Sequence, residues 1–164
     1  MAHKDELIDE LKYESGLTRK MLERVPFDNP GWQPHEKSFP LARLATHVAE
    51  IPHWISRIAT MDDWDFAVQG FTRQIAKSRE ELLDIFENKL DKAITDLQAM
   101  NDRDFQKIWV VSNGGVMRRE LVKKVAIRGW GFSHLVHHRG QLSVYLRLLD
   151  VPVPGMYGPS ADET

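Results

Sequence analysis

Residues 127–145 read Ile127-Arg-Gly-Trp130-Gly-Phe-Ser-His134-Leu-Val-His137-His138-Arg-Gly-Gln141-Leu-Ser-Val-Tyr145. The large side chains of this stretch recur at the spacing of one face of an α-helix. Two histidines, His134 and His138, fall on that same narrow arc, so we expect both to face inward. The pattern predicts a helix over about residues 119–149, with polar groups built into its buried face.

Three further segments show helical periodicity, at about residues 5–25, 40–60 and 78–100. Each carries one apolar stripe, and His47 belongs to the stripe of the second segment. Pro52 lies inside that segment and should kink it, because proline lacks the amide hydrogen that would bond to the carbonyl of Val48.

Turn and tail signals complete the fold prediction. Asn113-Gly114 lies between the apolar residues of Trp109-Val-Val111 and Val116-Met117, a pattern that favours a β-hairpin with a type I′ turn. The proline-rich stretch 151–159 cannot be helical, and its Met156 and Tyr157 suggest a tail docked on the helices. The sequence therefore predicts an all-α four-helix bundle with a minor β-hairpin between helices 3 and 4, in one domain spanning residues 1–164.

Composition limits the function. Of the 164 residues, 42% are hydrophobic and 28% are charged, which is typical of a soluble globular protein. A net charge of -2 gives no sign of a nucleic-acid partner, and no apolar run is long enough to span a membrane, so we expect a cytoplasmic protein. The chain has no cysteine, which excludes disulfides, thiolate ligands and a cysteine nucleophile.

The histidines predict a metal site. His134 and His138 are one helical turn apart and can aim at one point, and His47 can supply a third imidazole from a facing helix. Three imidazoles leave part of a metal's coordination shell open, as reactive sites require. His137 is an alternative to His138 as a ligand. The simpler interpretation is a set of core histidines hydrogen-bonded to their neighbours.

Other polar residues surround these three. Glu50, Gln141 and Tyr145 lie near the histidine arcs and are candidates for positioning substrate or moving protons. Glu14 falls inside the apolar stripe of the first helix and is a candidate hydrogen-bond partner for a ligand histidine. We expect the remaining residues of interest to be solvent-facing: His3, His35, His53 and the basic cluster Arg118, Arg119, Lys123, Lys124 and Arg128.

The chain resembles the DinB/YfiT-like family of small four-helix metalloproteins. The matching residues are His47 in Leu44-Ala-Thr-His-Val-Ala-Glu-Ile-Pro52, the stretch His134-Leu-Val-His-His138-Arg-Gly-Gln-Leu142 and the tail 151–159. The resemblance implies a divalent metal ion, zinc or nickel above others, held by His47, His134 and His138, and commonly a homodimer.

The same resemblance implies a thiol-dependent S-transferase acting on a small-molecule substrate. Family members of known chemistry use bacillithiol, mycothiol or similar low-molecular-weight thiol cosubstrates. The alternatives are a metal-dependent hydrolase and a non-enzymatic metal-binding stress-response protein, because all three would need the same ligands.

Overall fold

The computed structural model describes residues 3–70 and 74–163, and it is mostly helical with one small sheet. The helices are α1 (His3–Leu22), α2 (Leu41–Glu50), α3 (Pro52–Thr60), α4 (Arg79–Ala99), α5 (Lys123–Ala126) and α6 (His134–Leu148). The strands are β1 (Asp63–Asp65), β2 (Ile108–Asn113) and β3 (Val116–Val122). Across the described residues, none of these helices combines the length and the apolar character needed to cross a membrane.

Pro52 divides the second predicted helix, as expected. α2 ends at Glu50 and α3 begins at Pro52, while Ile51 between them keeps helical dihedral angles (φ -58, ψ -37). The carbonyl of Val48 accepts a long 3.4 Å bond from the amide of Ile51, since proline has no amide hydrogen to offer.

The sheet is larger than the predicted hairpin. β2 and β3 pair antiparallel, and β1 adds a parallel strand against β2 that the sequence analysis missed. The turn is shifted by one residue from the expected Asn113-Gly114, because the two residues with positive φ are Gly114 (62°) and Gly115 (75°). The Asp65 carboxylate, at the end of β1, accepts hydrogen bonds from both glycine amides and fixes that turn.

The fourth predicted helix was wrong in two respects. Residues 119–122 belong to strand β3, so the helical run begins at Lys123. The run also contains a seven-residue π-helical segment, Ile127–Ser133, between α5 and α6. Lys123 itself is buried and pairs with Asp62 at 2.8 Å, which corrects its placement on a solvated face.

Two apolar clusters hold these elements together. One joins the start of α1, α3, the end of α4, the sheet and the π-helical segment, and Trp109 at its centre is fully buried. The other joins the end of α1, α2, the start of α4 and α6, and side chains of the C-terminal tail such as Met156 pack against it. α2 and α6, which carry the predicted ligands, therefore face each other across the second cluster.

The predicted docking of the tail is confirmed, and the tail covers a buried ion pair that was not predicted. Arg139 on α6 is 2% exposed and donates to the Glu14 carboxylate at 2.6 Å. The Tyr157 hydroxyl donates to the same carboxylate at 2.8 Å. Glu14 thus pairs with an arginine and a tyrosine, and the prediction that it supports a ligand histidine was wrong.

Candidate metal centre

His47, His134 and His138 converge at one point between α2 and α6. One ring nitrogen from each lies within 4.8 Å of those of the other two. The centroid of the His47 ring is 5.0 Å from that of His134 and 4.5 Å from that of His138, and the latter two are 4.7 Å apart. Residues from two helices thus bring together the three histidines that the sequence singled out.

The π-helical segment sets the orientation of His134. In a regular α-helix the His134 amide would bond to the carbonyl of Trp130, but in the wider π turn it bonds to the carbonyl of Gly129. The Trp130 carbonyl instead lies 3.3 Å from His134 Nδ1. A carbonyl can only accept, so Nδ1 carries the hydrogen and Nε2 is left as a lone-pair donor for a metal.

Gly131 allows this segment to lie close to α3. A Cβ atom at residue 131 would be 2.4 Å from Cγ1 of Ile55, which is far inside van der Waals contact. Any larger residue would push the π turn and its carbonyl away from α3. The Gly129-Trp-Gly131 sequence was the available signal for this irregular turn, and the sequence analysis did not use it.

Gln141 orients the His138 ring as the Trp130 carbonyl orients that of His134. His138 Nδ1 donates to Gln141 Oε1 at 2.7 Å, and the two residues are nearly one turn apart on α6. This bond places the hydrogen on Nδ1 and leaves His138 Nε2 as the ligand atom. Gln141 therefore contacts one of the three converging histidines. Its predicted part in positioning substrate or moving protons stays a prediction.

His47 has an unsatisfied ring nitrogen. Its Nδ1 is buried and has no hydrogen-bond partner among the described residues, while its Nε2 lies 3.1 Å from His134 Nε2. Two nitrogens about 2.0–2.1 Å from one zinc ion at a tetrahedral angle lie roughly 3.3 Å apart, close to this separation. The two Nε2 atoms are placed as two ligands of one ion would be, so the donor set fits a divalent ion.

The surroundings keep the three rings neutral. Burial is the main cause that lowers the pKa of His47 to about 3 and that of His134 to about 4, from the ordinary value of 6.5. Burial also lowers the pKa of His138. Neutral imidazoles are the form that binds metal, and these histidines hold it at physiological pH.

Glu50 and Tyr145 are held by groups other than the three histidines. Glu50 is partly buried, its carboxylate is 3.5 Å from the guanidinium of Arg43, and burial raises its pKa. The Tyr145 hydroxyl donates to the carbonyl of Phe39 at 3.0 Å. The guanidinium of Arg43 also lies over the Phe39 ring, 5.5 Å from its centroid, and the sequence analysis did not single out this arginine.

The remaining histidines lie apart from the centre. His137 is exposed and touches the ring of His138, 4.8 Å between centroids, without joining the converging group. His35 is exposed, as predicted. His53 and His3 are half-buried, so their predicted exposure was wrong: burial lowers the pKa of His53 to about 4, and His3 packs edge-on against Phe105.

Comparisons with known proteins agree with the fold. A crystal structure of a DinB-like protein from Bacillus cereus superposes with a TM-score of 0.70 at 22% sequence identity, covering 91% of this chain and 94% of that one. A second DinB-like protein, from Bacillus subtilis, gives a TM-score of 0.70 at 13% identity, covering 97% and 99%. At these identities the likeness concerns the fold alone. No curated protein gives a significant match.

The sequence comparison with families is more decisive. The profile of the DinB family matches residues 1–164, which is the whole chain. The three histidines on which the resemblance was first noted are the ones that converge in the structure. This chain belongs to the DinB family.

Proposed function

We propose that this protein is a thiol-dependent S-transferase whose divalent metal ion is held by His47, His134 and His138. The observation that carries the proposal is the convergence of three neutral imidazoles, with one ring nitrogen of each within 4.8 Å of those of the other two. All-imidazole ligation suits zinc, nickel, cobalt or copper, with zinc and nickel preferred here, and disfavours magnesium and calcium.

A divalent ion held by His47, His134 and His138 would lower the pKa of a small-molecule thiol bound at an open coordination position and so favour its thiolate at neutral pH. The thiol sulfur then forms a bond to an electrophilic carbon, the leaving group departs with its electron pair, and the thiol proton passes to solvent. The nucleophile must come from a cosubstrate because the chain has no cysteine. This supports the transferase over a mechanism that uses a protein thiol.

The chain's own residues have distinct parts in this proposal. The Trp130 carbonyl and Gln141 fix the ring orientation of His134 and His138. Tyr145 holds the loop at Phe39 over the site through its hydroxyl. Burial raises the pKa of the Glu50 carboxyl beside Arg43, so it is suited to accept and return a proton.

Metal analysis tests the ligand set. Protein purified without a histidine tag should carry about one ion per chain. The variant His138→Ala should lose it, whereas His137→Ala, altered at the adjacent exposed residue, should keep it. Equal metal content in both variants would contradict the assignment of His138.

A thiol panel tests the reaction. Addition of bacillithiol or mycothiol to cobalt-substituted protein should change its visible absorption. The protein should also raise the rate at which the same thiol reacts with the electrophile monobromobimane. A spectrum unchanged across the panel, with no thiol-dependent turnover, would reject the transferase. Turnover of esters without thiol would indicate a hydrolase, and loss of fold on chelation without any activity would indicate a structural metal site.

We further propose that the protein is a homodimer formed through the outer face of α6. Val136, Val144 and Leu148 follow one stripe of that helix and are 37%, 56% and 56% exposed, and Gly140 leaves room for a neighbour. Light scattering of the wild type should give twice the mass of one chain, and Val144→Glu should give a monomer.

A further inference from the structure

A groove of about 710 Å³ lies beside the histidine centre, between strand β3 and the helical run from α5 to α6. This volume is in the range of sites for small molecules. Its lining residues come from one face of each element: Arg119 and Leu121 from β3, and Val125, Gly129, Trp130, Ser133, His134 and His137 from the helical run.

The geometry of the two elements produces the groove. Arg119 and Leu121 are two residues apart on a strand and project on the same side of the sheet. Gly129 has no side chain, and a Cβ atom there would meet nothing within 4 Å, so the groove stays open at this point. Opposite them, the wall formed by Trp130 is rigid, because its ring packs edge-on against Trp54 and Trp109 at 4.9 and 5.5 Å between centroids.

The charge of the groove is one-sided. Arg119 is exposed and forms no ion pair within the described part of the chain, whereas Arg19, Arg43, Arg128, Arg139 and Arg147 each do. No carboxylate of the described residues lines the groove. An arginine without a partner beside a flat apolar wall is suited to a carboxylate that carries an aromatic or extended apolar body.

His134 joins the groove to the metal centre, because it lines the one and belongs to the other. We propose that this groove binds a small organic anion, with its carboxylate on Arg119 and its apolar body against Trp130 and Leu121. The proposed binding of an anion depends only on the contacts of the groove. The further statement that the electrophile of S-transfer binds there rests on the proposed function.

The probe is 2-naphthoate, and its uncharged isostere 2-naphthamide is the control. We expect titration calorimetry to show binding of 2-naphthoate to the metal-loaded protein and binding at least about tenfold weaker for the amide, since a charged partner strengthens a hydrogen bond. Arg119→Gln should weaken naphthoate binding by about the same factor. The matched control is Arg118→Gln, which alters the neighbouring exposed arginine on the opposite side of β3 and should leave affinity unchanged.

A second variant tests the open space of the groove separately from the charge of Arg119. Gly129→Leu places a side chain in the open space of the groove while retaining Arg119, and it should abolish binding of 2-naphthoate without reducing metal content. Equal effects of Arg118→Gln and Arg119→Gln, or undiminished binding in Gly129→Leu, would overturn the inference.

The same titrations on chelator-treated protein distinguish this inference from the proposed function. Arg119-dependent binding that persists without metal supports the groove even if no thiol transfer is found. Binding that needs the metal and ignores Arg119→Gln would mean that the carboxylate ligates the ion directly, and the groove would be rejected while the metal centre stands.

Discussion

His138 and Arg139 are neighbours on α6 that face different sides of the helix, and their surroundings differ in one respect. Arg139 donates to the Glu14 carboxylate, the Glu14 carbonyl, the Thr18 hydroxyl and the Tyr157 hydroxyl, so its buried charge is fully partnered. On the histidine side, the Nδ1 atoms of His134 and His138 have one hydrogen-bond partner each. One ring nitrogen from each of the three histidines lies at the point of convergence.

The difference indicates which side is structural and which is functional. A buried charge must be neutralised and hydrogen-bonded, and the Arg139 side meets both conditions with groups of the chain alone. The histidine side leaves acceptor atoms unused at the point of convergence. A bound divalent ion would satisfy that capacity.

Removing Arg139 should have the largest effect. Arg139→Met leaves the Glu14 carboxylate buried without its cation, and breaking a buried pair in this way costs about 3–5 kcal/mol of unfolding free energy. Urea denaturation of the metal-free protein measures it. The matched variant Arg147→Met removes an exposed arginine of the same helix that pairs with Asp162, and its loss should be much smaller.

The same measurement on metal-free His138→Ala should show no loss of comparable size, because no buried charge is left unpaired there. A large loss in His138→Ala together with a small loss in Arg139→Met would invert the assignment of the two faces.

Gly131→Ala should come next in size, since it tests the segment that connects the two regions. Its methyl group would overlap Cγ1 of Ile55, and overpacking of this kind costs about 1–3 kcal/mol. The control is Gly16→Ala on α1, where a Cβ meets nothing within 4 Å, and which should stabilise the helix slightly.

Movement of the π turn should also weaken metal binding, because the Trp130 carbonyl that orients His134 would shift. The double variant Gly131→Ala with Ile55→Ala makes room for the methyl group and should recover metal affinity. Unchanged affinity in Gly131→Ala would separate the π turn from the centre.

Gln141 gives a smaller and more specific effect. Gln141→Leu removes the acceptor for His138 Nδ1, and loss of such a partner typically lowers metal affinity about 10–100-fold. Gln141→Glu keeps an acceptor at the same place and should retain most of the affinity. Competition with a chromophoric chelator measures both variants, and equal affinity in wild type and Gln141→Leu would show that the bond does not orient the ring.

Much of this arrangement was predictable from periodicity. Helical spacing located the four main helical stretches, and the same spacing placed His47, His134 and His138 on buried arcs, because side chains four apart share a face whatever the details of the backbone. Pro52 predicted the break between α2 and α3 through its missing amide hydrogen.

The rest depended on contacts between distant residues. The π-helical segment arises where Gly131 packs against Ile55, a contact that local spacing does not reveal. β1 is three residues long and forms only because β2 is there to pair with it. Glu14 looked like a possible histidine partner because sequence alone did not show that Arg139 lies opposite it.

The pH dependence of stability should give the smallest effect per step, at most about 1.4 kcal/mol per pH unit for each histidine, and the cleanest separation of the two faces. In the folded, metal-free protein the pKa of His47 is lowered to about 3 and that of His134 to about 4, whereas in the unfolded chain both return to about 6.5. Below pH 6.5 the unfolded state therefore binds protons that the folded state does not bind, so the free energy of unfolding falls as the pH is lowered. The loss begins near pH 6.5 and continues towards pH 4.

Urea unfolding of the chelated protein at pH 7, 6 and 5 should show a shallower slope of stability against pH in His47→Ala than in wild type. His53, whose pKa is also lowered to about 4, contributes a slope of its own, which His53→Ala measures separately. His35→Ala, altered at an exposed histidine, should follow the wild-type curve. A His47→Ala slope equal to that of wild type would mean that the ring is as free to protonate in the folded protein as in the unfolded chain, and the histidine side would then lose its distinction from an ordinary surface cluster.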